Sequence, residues 1–62
     1  RNAGALLLEH LAPYADPAEL GEWRARLDAY LQQPPDAQEA HLETLIPPLA
    51  EWVARTLRRR AV

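Results

Sequence analysis

Prolines limit what this chain can fold into more firmly than any apolar pattern does. Pro13, the pair Pro34 and Pro35, and the pair Pro47 and Pro48 each stand between stretches of helical periodicity, and Pro17 directly follows Asp16. A proline deep inside a helix removes a backbone donor, presses its ring on the preceding turn and costs ~3 kcal/mol. The spacing of these residues therefore predicts several short helices joined by tight turns. No stretch alternates apolar and polar residues as a strand does, and no repeat or low-complexity linker is present.

Between the prolines the apolar residues recur at helical intervals. Asn2 is a candidate N-cap for a first helix with Leu7, Leu8 and Leu11 on one face and Leu6 beside them, ended by Pro13. Asp16-Pro17-Ala18-Glu19 gives the second helix an N-cap oxygen, a proline at its first position and an acid at its third. Leu20, Trp23, Leu27 and Tyr30 then form one stripe, which Ala25 and Leu31 widen, while Glu22 and Arg26 pair across one turn on the other side. Gly21 suggests close approach of a neighbouring backbone. After Pro34-Pro35, Asp36 followed by Glu39 repeats the capping pattern, and Leu42, Leu45, Ile46 and Leu49 mark an inward stripe. The Pro47-Pro48 pair interrupts it, so two helices are expected, about 37–46 and 48–60. The last carries Leu49, Trp52, Val53, Thr56 and Leu57 on one side, an expected Glu51–Arg55 pair, and Arg58 to Arg60 at its carbonyl-rich end.

Sixty-two residues make one domain, and a chain of that size buries only about 60% of the surface its unfolded form exposes. Twelve of its thirty hydrophobic residues are alanine, which thins the core further. There is no cysteine to add a disulfide or a thiolate zinc site. The expectation is an all-α fold of three or four short helices in a small bundle, completed by dimerisation or a partner. The chain starts at Arg1 without Met and reads as a fragment, a processed product or one domain of a longer polypeptide. The longest apolar run, 3–8, is far below the roughly 20 residues that span a bilayer. Neither a signal peptide nor a membrane partner is expected, and the default compartment is the cytoplasm.

Ser, Cys and Lys are all absent, which removes most covalent nucleophiles and the Schiff-base amine. His10 and His41 lack a carboxylate at i, i+3 or i, i+4 in ligand-like pairing, so they read as surface or rim residues. No enzymatic activity, cofactor or metal site is expected. Charge is unevenly spread: residues 1–51 hold nine acids and three Arg, and residues 52–62 hold four Arg and no acid. The basic end, Arg55 with Arg58, Arg59 and Arg60, is the candidate anion contact. An alternative role follows from it: a small antitoxin-like regulatory accessory touching nucleic acid or a nucleic-acid-binding partner. An acidic chain with one short basic patch makes nucleic acid the lesser expectation.

The segment Leu45-Ile46-Pro47-Pro48-Leu49-Ala50-Glu51-Trp52 with its arginine-rich continuation resembles the closing helix of the small helical dimerisation elements of modular polyketide synthases. In that family a Leu-Pro-x-Leu-x-x-Trp stretch leads into basic residues, and an aromatic-bearing helix precedes it, as Trp23 does here. The likeness departs at Val53-Ala54, where the family has basic residues, and in the Leu-rich first helix. The resemblance implies that Trp23, Leu27, Leu49 and Trp52 lie in a paired core and that the module holds two synthase chains together. The expected function is thus non-catalytic protein–protein interaction, as homodimerisation or docking in a larger assembly. Its expected surfaces are the amphipathic stripes Leu20, Trp23, Leu27, Tyr30 and Leu49, Trp52, Val53, Leu57, whose two tryptophans read first as core residues of one copy and otherwise as interface anchors, roles that coincide if the core is completed across a two-fold axis.

Overall fold

The computed structural model describes residues 3–61. It is all-α, with helices α1 (Ala3–Leu11), α2 (Pro17–Leu31) and α3 (Pro35–Ala61), and a 3-10 turn at Ala12–Tyr14 between the first two. The N-cap assigned to Asn2 lies outside the described residues. At the start of α2 the Asp16 carboxylate accepts from the backbone N–H of Ala18 at 3.0 Å and of Glu19 at 3.1 Å. Pro17 occupies the first turn, where its missing donor is not needed. Gly21 is corrected: a Cβ built there meets nothing within 4 Å, because the residue faces open space. Gly21→Ala is therefore expected to stabilise the chain by about 0.5–1 kcal/mol. A higher urea midpoint with an unchanged slope checks it.

The turn between α2 and α3 is closed by a residue other than the one the capping pattern indicates. Helix α3 begins at Pro35, and Pro34 supplies the first acceptor, its carbonyl receiving Gln38 N–H at 3.0 Å. Asp36 therefore sits in the first turn and is not the N-cap. Proline's fixed φ suits the first helical position, and this moves the start two residues upstream, from 37 to 35. The Gln38 side-chain amide donates to the carbonyls of Gln33 at 2.9 Å and Leu31 at 3.3 Å, satisfying acceptors that the end of α2 leaves open. So short a link turns α3 back antiparallel along α2.

The expected break at Pro47-Pro48 does not occur, and α3 runs unbroken through both prolines. Lacking N–H groups, the prolines leave the carbonyls of Glu43 and Thr44 without their helical donors. Both of those residues are exposed, so water reaches that side. Buried anchors lie on either side of the pair, Leu45 before it and Trp52 and Thr56 after it. Packing on both sides holds the two halves in line and offsets the local loss. At 1.5 Å per residue such a helix is about 40 Å long, which matches the longest molecular dimension of 40 Å.

The core sits where all three helices meet. It comprises Leu8, Leu11, Trp23, Leu45 and Trp52, with Leu7, Ala15, Leu20, Leu27, Tyr30, Leu49 and Val53 half-buried around it. The indoles of Trp23 and Trp52 stack with centroids 5.7 Å apart at 28°. Thr56 is also buried, its hydroxyl donating to the Trp52 carbonyl at 2.8 Å. Ala25 and Leu31, expected to widen the α2 stripe, are exposed. Leu31 is the last residue of α2 and borders a shallow groove between α1 and α2 with Ala5, Leu8 and Leu27.

Candidate interaction surface

Both tryptophans lie inside one copy of the chain, as the core reading of the two stripes expects, so neither is open to a partner as an anchor. Because α3 is continuous, it reaches past α2 to the 3-10 turn and α1, and Trp52 finds Trp23 across the helix pair. Arg26, expected to face Glu22, places its guanidinium 4.1 Å from the Trp23 ring centroid and shields that indole from water. The remaining stripe residues Leu20, Leu27, Tyr30, Leu49 and Val53 pack against this core, whereas Leu57 stays exposed. One of the two expected surfaces is thereby used internally. Part of the other remains open.

The open part is the outer face of α3. Leu7 from α1 and Ile46, Leu49, Ala50, Val53, Ala54 and Leu57 from α3 line a shallow groove of about 370 Å³ in which every side chain is apolar. Ile46 is 51% exposed and Leu57 43%, and Leu42 extends the same face by a turn. Such a row exists only because the helix keeps its phase through the proline pair. Leu7, Ile46, Ala50 and Ala54 were not expected at a surface site, since breaking the helix at Pro47 assigns Ile46 to an inward stripe and separates it from Leu57.

No charged residue among those described lines this groove. Arg59 approaches Glu19 at 3.9 Å and the Arg60 guanidinium lies 5.7 Å from the Tyr14 ring. Two of the four candidate anion contacts are thus engaged with their own chain, and Arg55 and Arg58 are exposed on other sides of the same helix end. His10 is exposed. His41 Nδ1 meets Gln33 Oε1 at 3.2 Å and the ring stands edge-on to Tyr30, so its role is to fasten the α2–α3 turn. Among the described residues no three His, Asp or Glu side chains converge on a metal position, and no helix is long and apolar enough to cross a membrane. No protein-family model, curated protein or solved structure matches the chain.

Proposed function

We propose that this chain is a non-catalytic helical interaction module that associates through the outer face of α3, as a homodimerisation element within a larger protein or complex. The observation that carries this reading is the groove itself: a continuous apolar row with Ile46 and Leu57 near half exposure on a domain of three helices. Fully burying an aliphatic side chain of this size is worth ~1.5–3 kcal/mol. Covering several at once gives a favourable term that a small domain otherwise forgoes. The resemblance of residues 45–52 to the dimerisation elements of polyketide synthases supports the same reading, with the difference that the tryptophans serve each copy's own core. The side-chain inventory points away from catalysis, since Ser, Cys and Lys are missing and the two histidines lie on different helices.

Thermal unfolding over a wide range of chain concentration tests the proposal. Association of folded chains stabilises them by mass action, so Tm is expected to rise as concentration increases. A Tm independent of concentration would contradict it.

A further inference from the structure

We infer that the two copies dock on this face with their α3 helices antiparallel, held in one register by Glu43 and Arg60. The inference rests on the homodimerisation reading above and specifies its direction and register. Along the unbroken α3, Glu39, Glu43, Ile46, Ala50, Val53, Leu57 and Arg60 follow one another at steps of four and three residues, the spacing of a coiled-coil seam. All are exposed except Val53, which is half-buried. The seam is therefore acidic at its start, apolar in its middle and basic at its end.

That charge order decides orientation. In a parallel pair Glu43 meets Glu43 and Arg60 meets Arg60, two like-charge contacts. In an antiparallel pair with the two-fold axis between Glu51 and Trp52, Ile46 opposes Leu57, Ala50 opposes Val53, and Glu43 opposes Arg60, each twice by symmetry. Sliding one helix by a heptad either way sets Glu43 against Val53 or Arg60 against Ala50. Either shift leaves a charge facing an apolar side chain, so the charges select the register as well as the direction. Ala50 and Ala54 are small enough to let the helices approach closely. The Arg60 guanidinium, 5.7 Å from the Tyr14 ring in the single copy, is exposed and open to a carboxylate of the second.

Sedimentation equilibrium on Glu43→Arg, Arg60→Glu and the double variant tests this, with circular dichroism to check that each folds. Each single reversal is expected to weaken dimerisation about tenfold by replacing two attractive contacts with repulsive ones, and the double variant to recover most of it. A parallel dimer would leave Glu43→Arg unchanged, and that result, or no recovery in the double variant, overturns the inference. The natural absence of cysteine permits a second measurement with a nitroxide on Ala40→Cys. An antiparallel pair puts the two labels about 35 Å apart along the axis, whereas a parallel pair leaves them about one interhelix spacing, roughly 10 Å, apart. Self-association that ignores the charge reversals and shows the short separation overturns the antiparallel pairing and leaves the interaction reading standing. A chain that stays monomeric overturns both.

Discussion

Trp52→Ala is expected to leave the chain unfolded at room temperature. Trp52 is 1% exposed and its ring stacks on Trp23, so truncation empties the junction of all three helices. Large-to-small changes of this kind lose about 3–5 kcal/mol, and a core of this size supplies a total of the same order. Far-UV circular dichroism should show the helical signal collapse. Trp52→Phe separates volume from chemistry: it keeps an aromatic ring and deletes an indole N–H that is buried without a hydrogen-bond acceptor. Its loss is expected to be much smaller than that of Trp52→Ala, because no bonded donor is given up and only part of the ring volume is removed. Equal damage from both would show that the stacked geometry, and not filled space, sets stability.

Ile46→Asp combined with Leu57→Asp is expected to do the opposite, sparing the fold and abolishing association. Both side chains are exposed in the single copy, so a carboxylate there stays solvated and leaves the isolated helices intact. In the paired state the same carboxylates would be removed from water beside apolar neighbours, at several kcal/mol for each uncompensated charge. The two-fold axis repeats every substitution, so four charges enter one small interface. The expected result is an unchanged circular dichroism spectrum at low concentration together with a loss of any concentration-dependent rise in Tm. Unfolding of the double variant would mean that the groove belongs to the core.

The helices were readable wherever local chemistry decides the backbone. Asp16-Pro17-Ala18-Glu19 carries its own cap, and the structure realises both side-chain hydrogen bonds. The α2 stripe Leu20, Trp23, Leu27, Tyr30 likewise follows from periodicity alone. Two features were not legible, one set by packing between separate helices and one by a side chain outside the local capping pattern. Helix α3 survives Pro47 and Pro48 because Leu45 on one side and Trp52 on the other are both buried, and local propensity contains no trace of that packing. The turn after α2 is closed by Gln38, whose side chain reaches back to Gln33 and Leu31, where the pattern beginning at Asp36 points to a different first residue. The site was half legible for the same reason. Leu49, Val53 and Leu57 stand out as a stripe, but Ile46 joins them only if the helix runs through the prolines, and whether Trp23 and Trp52 face inward depends on how α2 meets α3.

Under the proposed function, the apolar row on α3 is covered by another chain when the protein acts. Sedimentation equilibrium of the unmodified chain, run beside Ile46→Asp/Leu57→Asp, addresses it most directly. The expected result is a mass that climbs from one copy to two with increasing concentration, and a double variant that remains at the mass of one copy throughout. A folded, unmodified chain that stays at the mass of one copy at every concentration would contradict it.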